Sequence, residues 1–119
     1  MRTATIRIRK ASASLDAVRA GFLSAWTTGE PAGEHFDFES PAALFRVLTP
    51  KRWELIERLQ TAGPLGVRAL ARALGRDVKR VHDDASALIE VGLVEKTPAG
   101  KLSVPFSEIQ ADFVMRSAA

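Results

Sequence analysis

Between Thr49 and Gly92 the chain carries three amphipathic helical patterns in succession, each closed by a glycine, and no other feature limits its fold so tightly. The first starts at Thr49-Pro50, where a capping hydroxyl precedes a proline suited to the first helical position. It continues through Trp53, Leu55, Ile56 and Leu59 and stops at Gly63-Pro64. The second sets Val67, Leu70 and Leu74 on one stripe, with Ala69, Ala71 and Ala73 between, and ends at Gly75. Asp77 caps the third, whose stripe is Val78, Val81, Ala85, Leu88 and Ile89 and whose terminator is Gly92. Helices this short bury their stripes only against one another, so the segment predicts a small helical core. Leu93 to Lys96, then Thr97-Pro98-Ala99-Gly100, then Lys101 to Val104 read as a β-hairpin with a Pro/Gly turn.

The flanks carry a different period. In Thr3 to Arg9, Ala4, Ile6 and Ile8 alternate with Thr5, Arg7 and Arg9, the pattern of a half-buried strand. Ser12 or Ser14 then caps a helix with Leu15, Val18, Phe22 and Trp26 on its buried stripe. Its other side carries Ala17, Ala20, Gly21 and Ser24, which fits either a plain solvated face or the close approach of a helix or second subunit. After Gly29 and Pro31 to Gly33, His35 to Glu39 alternates again. A strand-helix-strand order suits parallel pairing, with the acidic face of this second strand against Arg7 and Arg9. A short helix follows from about Pro41 to Val47. Residues 106–114 fit a helix through Phe106, Ile109 and Phe113, or a strand alternating Ile109, Ala111 and Phe113 with Gln110 and Asp112; the alternation favours the strand, which would join the first two, within the chain or across a two-fold axis. The expected fold is α+β and mainly helical. It divides into a strand-helix-strand extension over 1–48 that serves dimerisation, the helical segment with its hairpin over 49–105, and a strand or tail over 106–119.

Composition removes several function classes. A chain of 119 residues with 46% hydrophobic and 26% charged residues can hold one core without crosslinks. No apolar run approaches the ~20 residues of a membrane span, and no signal-type region follows Arg2, Arg7 and Arg9, so a cytoplasmic protein with no membrane partner is expected. There is no cysteine, and His35 and His82 are far apart, so neither a metal nor another cofactor is expected. No nucleophile-elbow or phosphate-cradling glycine pattern is present, and neighbours such as His82, Asp83 and Asp84 point about 100° apart on a helix. An enzyme is therefore not expected. The net charge of +3 is uneven: residues 49–105 hold 10 basic and 7 acidic side chains, against 6 and 5 in residues 1–48. Such a surplus permits phosphate neutralisation without requiring it.

Val67 to Val81 has the helix-turn-helix arrangement, two short helices joined by Gly75-Arg76. At 100° per residue the face of the second helix opposite its stripe carries Lys79, Arg80, Asp83, Ser86 and Ala87, with both cations near the helix start, where bases and phosphates are usually met. Arg76 in the turn is a further expected DNA contact, and Arg68, with Arg72, on the first helix either steadies the DNA backbone or simply solvates its helix. His82, Trp26 and Trp53 are read as packing residues.

The run Ala85 to Val94 and the charged hairpin after it resemble the end of the recognition helix and the wing of MarR-like and ArsR-like winged-helix regulators, over roughly residues 49 to 105. The whole chain also looks like a family of short transcriptional regulators of archaea and bacteria, MarR-like but smaller, some encoded beside TumE-type toxins. The resemblance implies a winged helix-turn-helix, a wing tip of Lys96, Thr97 and Lys101 against the minor groove or backbone, and an antitoxin role with a toxin protein as partner. Asp83 and Asp84 depart from the pattern: such carboxylates repel phosphate unless they accept from a cytosine or hold a neighbouring arginine. The expected function is a sequence-specific regulator that binds double-stranded DNA as a homodimer and represses its own promoter. The alternative is a winged helix used for protein contact, which neutralises or scaffolds a partner.

Overall fold

A computed structural model describes residues 2–8 and 33–114. Over these the chain is α+β: four helices, a three-stranded sheet and a two-stranded hairpin. It divides into two compact units, residues 1–44 with 108–119, and residues 45–107. Among the described residues no helix is long and apolar enough to cross a membrane.

In the first unit β1 (Arg2–Ile8) lies between β2 (Glu34–Phe38) and β5 (Phe106–Asp112). The alternation of β1 is realised as burial of Ala4 and Ile6. β1 and β2 run parallel, with Thr5 opposite His35 and Arg7 opposite Asp37. That register sets up two charge pairs. Arg7 Nε lies 3.0 Å from Asp37 Oδ1, and Arg2 donates from Nε and Nη2 to the two carboxylate oxygens of Glu34 at 2.9 and 2.7 Å. The hydrogen bond from Arg2, aided by its charge, holds the Glu34 carboxyl below its ordinary range against an opposing desolvation. The parallel pairing and the Arg7 contact follow the sequence expectation; Arg9 and the helix expected over 15–26 lie outside the described residues. Residues 106–112 form the strand that alternation favoured, and it joins β1 of the same chain. Helix α1 (Pro41–Val47) opens where Ser40 Oγ accepts from the Ala43 N–H at 3.1 Å, and its Leu44 is buried.

The second unit is the helical core. Helix α2 (Pro50–Ala62) starts as Thr49-Pro50 predicts, with Thr49 Oγ1 accepting from the Arg52 N–H. It buries Leu55, Ile56 and Leu59. Helix α3 (Val67–Leu74) contributes Leu70 and Ala71, and helix α4 (Val78–Val91) contributes Val81, Ala85 and Leu88. Val78, expected on the α4 stripe, is 41% exposed. It is the first helical residue, and because Cβ bonds tilt toward a helix N-terminus its side chain leans past the helix start.

Beyond Gly92 (φ 104°) the N–H groups of Leu93 and Val94 return to the Leu88 carbonyl, and both side chains are buried. The hairpin, β3 (Glu95–Lys96) and β4 (Leu102–Ser103), is therefore shorter than its apolar pattern suggests. Leu65, between α2 and α3, exchanges two backbone hydrogen bonds with Leu102, at 3.0 and 2.8 Å, and fastens the hairpin to the helices.

Candidate nucleic-acid interface

Three residues, Gly75 to Asp77, separate α3 from α4. Gly75 takes the left-handed conformation (φ 64°, ψ 37°), and its N–H and that of Arg76 donate to the Arg72 and Ala71 carbonyls. A side chain at that φ is disfavoured by its own Cβ, which explains the glycine. Asp77 then caps α4, its Oδ2 accepting from the Arg80 N–H at 3.3 Å.

This geometry turns one face of α4 outward. Lys79, Arg80, Asp83 and Ser86 are exposed, while Ala87, on the same side by angle, is half-buried. The partial positive charge of the helix N-terminus adds to that of Lys79 and Arg80. Lys51, at the start of α2, joins Arg76, Asp77 and Arg80 around an open basin of about 520 Å³. Arg68 and Arg72 are exposed on α3. On the hairpin Lys96 and Lys101 are exposed, and the turn between them is locked by Thr97: its N–H donates to the Lys101 carbonyl at 2.8 Å and its Oγ1 accepts from the Lys101 N–H at 3.1 Å. Ser86 and Lys96 also face a common groove of about 90 Å³ between α4 and the hairpin.

His82 lines that groove as well. Its side chain is 62% exposed, with Nδ1 3.6 Å from Asp83 Oδ1, so the expected packing role is not found. The flank of the α4 stripe on which His82 lies meets a groove there, not a neighbouring side-chain layer.

The opposite flank is filled. Asp84 Oδ1 accepts from Arg52 Nε at 3.0 Å, and its Oδ2 accepts from Arg76 Nη2 at 2.7 Å. Arg52 also donates from Nη1 to the Val47 carbonyl at 2.8 Å, the last residue of α1. The three side chains are 22%, 17% and 14% exposed for Arg52, Asp84 and Arg76. Burial alone would raise the Asp84 carboxyl, but the hydrogen bonds and charges of Arg76 and Arg52 outweigh it and hold the group below the usual carboxylate range. Arg76 Nη1 is buried without a hydrogen-bond partner among the described residues.

A family model, HVO_A0114, matches residues 47–111, more than half of the chain. The chain belongs to the HVO_A0114 family. No curated protein and no solved structure matches it. The HVO_A0114 span contains α2 to α4, the hairpin and all but the last residue of β5, and so every side chain expected to meet DNA. Within it Arg68, Lys79, Arg80, Asp83, Ser86, Lys96 and Lys101 are exposed, and Thr97 is half-buried in the turn. Arg76 is placed otherwise: its guanidinium turns inward to Asp84, because a carboxylate at the edge of the stripe gives it a partner there. Sequence reasoning assigned no role to Arg52 or Lys51. The only signal for Arg52 was the carboxylate of Asp84, about 40° from Leu88 by helical angle and in need of a cation.

Proposed function

We propose that this protein is a sequence-specific double-stranded DNA-binding transcriptional regulator, in which α3 and α4 act as a helix-turn-helix and the β3–β4 hairpin as its wing. The observation that carries the reading is the outward face of α4: Lys79 and Arg80 stand exposed in its first turn, on the side away from the buried Val81, Ala85 and Leu88. A helix held on one face and cationic at the start of the other meets the requirement for entering a major groove. Lys96 and Lys101 supply the wing with charge for the backbone or minor groove, and Lys51, Arg68 and Arg72 supply phosphate contacts. As a homodimer the protein sets two such helices in successive major grooves, about 34 Å apart, and represses its own promoter.

The test is fluorescence anisotropy against the duplex upstream of the gene, at about 0.15 M salt, with a scrambled duplex as control. Tight binding to the native duplex alone, lost in Lys79→Ala/Arg80→Ala, is the expected result; equal weak binding to both duplexes, unchanged in the double variant, overturns it.

A second reading rests on the exposed Asp83 beside those cations and, separately, on the two apolar residues that follow β5, Phe113 and Val114, which are 37% and 71% exposed. Both features suit protein contact. Under this reading the protein neutralises a partner protein, such as a toxin encoded nearby. Co-purification with the product of the adjacent gene, together with failure to bind DNA, is the result that selects it.

A further inference from the structure

Asp84 faces two guanidiniums with one carboxylate, and each oxygen is taken by a different arginine. The two arginines come from distant places. Arg52 lies in the first turn of α2, next to Lys51, and Arg76 lies in the turn that launches α4, four residues before Arg80. Through Asp84, together with the Arg52 bond to Val47, the end of α1, the start of α2, the turn and the middle of α4 are tied to a single side chain. The arrangement is asymmetric in charge, since it retains one net positive charge, and it keeps Arg76 inward although Nη1 is left without a partner. A buried donor without an acceptor is destabilising. An arginine three residues before Lys79 would otherwise be free to reach phosphate at the mouth of the same basin.

We infer that Asp84 is a specificity-determining positioning residue: it withholds Arg52 and Arg76 from nucleic-acid phosphates while fixing the start of α4 against the start of α2. The carboxylate takes one N–H from each arginine, a charge-assisted bond of the kind a phosphate oxygen would otherwise accept. Two cations that would strengthen binding to any sequence are thereby removed from the surface, and the remaining contacts, Lys79 and Arg80 above all, keep a fixed offset from Lys51. The role rests on the DNA-binding reading given above.

The experiment compares the full chain with Asp84→Asn and Asp84→Glu, each bound to the upstream duplex and to scrambled duplex across a salt series. In Asp84→Asn the arginines lose their counter-charge. Affinity for scrambled duplex then rises on the order of tenfold, the slope of log affinity against log salt steepens by about 1 to 2, and the native-to-scrambled ratio falls. Asp84→Glu, which keeps the charge, returns the slope and most of the ratio. A purely structural role predicts weaker binding to both duplexes with no steeper slope. Should Asp84→Asn fail to fold, Arg76→Gln decides: a withheld arginine leaves scrambled binding and its slope unaltered, whereas Lys79→Gln makes the slope shallower by about 1. A folded Asp84→Asn with unchanged slope and ratio, or an Arg76→Gln that loses as much slope as Lys79→Gln, overturns the role while leaving the DNA reading intact. A wild-type protein that binds neither duplex overturns both.

Discussion

Asp83 and Asp84 are consecutive on α4, yet the side chain of the first is 67% exposed beside His82 while that of the second is 17% exposed between two arginines. One helical step of about 100° separates a carboxylate that faces solvent from one that organises the surrounding elements. The acidic pair that sits awkwardly in a helix proposed to bind DNA is therefore two different things, and under that proposal only Asp83 is left to bear on a bound phosphate or cytosine.

The depressed carboxyl of Asp84 makes stability depend on acid. Its folded pKa lies below the unfolded value of 3.8, so its contribution is fully present above that value and is lost as pH falls through the lower folded pKa. Urea midpoints of wild type and Asp84→Asn are expected to differ at pH 6 and to converge as pH drops below 3.8. A gap that stays constant down to pH 2 would show that the carboxylate charge contributes nothing.

Loss of the Asp77 cap is expected to cost about 0.5–2 kcal/mol in Asp77→Ala, because the Arg80 N–H loses its acceptor at the start of α4. Thermal unfolding measures this directly. Asp77→Ser, which keeps a capping oxygen, should recover most of the difference.

Substitution of Gly75 separates backbone strain from packing. A Cβ there would meet no atom within 4 Å, so Gly75→Ala pays only for φ 64°, about 1–2 kcal/mol. Asn, which tolerates this conformation better, is expected to cost less than Ala. Equal losses for the two, read from denaturant midpoints, would count against this account.

The hairpin cations predict a sequence-independent effect. Lys96→Ala/Lys101→Ala should weaken binding to native and scrambled duplex by similar factors and make the salt slope shallower by up to about 2. Loss of binding to the native duplex alone would mean that the hairpin reads bases.

Light scattering checks the proposed dimer. A mass near twice 12.9 kDa is expected at micromolar concentration, and a mass near 12.9 kDa would remove the two-fold arrangement on the operator.

Much of the fold was legible because local chemistry agreed with the final structure. Thr49-Pro50 and Asp77 mark helix starts by satisfying N–H groups that have no partner within the helix, and Gly75 and Gly92 mark ends by adopting φ values that other residues resist. The alternation of Ala4 and Ile6 gave the strand, and the acid-base match of Arg7 with Asp37 anticipated its neighbour. What periodicity could not supply was the content of each flank. His82 and Asp84 lie on either side of the same stripe, and a helical wheel cannot tell that one flank meets a groove and the other meets Arg52, thirty-two residues away. Leu65 gave no signal for a similar reason. Its partner, Leu102, is set by backbone hydrogen bonds, which any residue but proline can make.

That backbone fastening has its own consequence. The clasp between Leu65 and Leu102 reads no side chain, and Pro98 and Ala99 lie beyond it, so these two tip residues can change without loosening the stalk that carries them. Pro98 and Ala99, exposed between the Thr97 lock and Lys101, are where novelty comes at little loss: a lineage, or an engineer, can retune what the hairpin touches there while the helices beneath keep their packing.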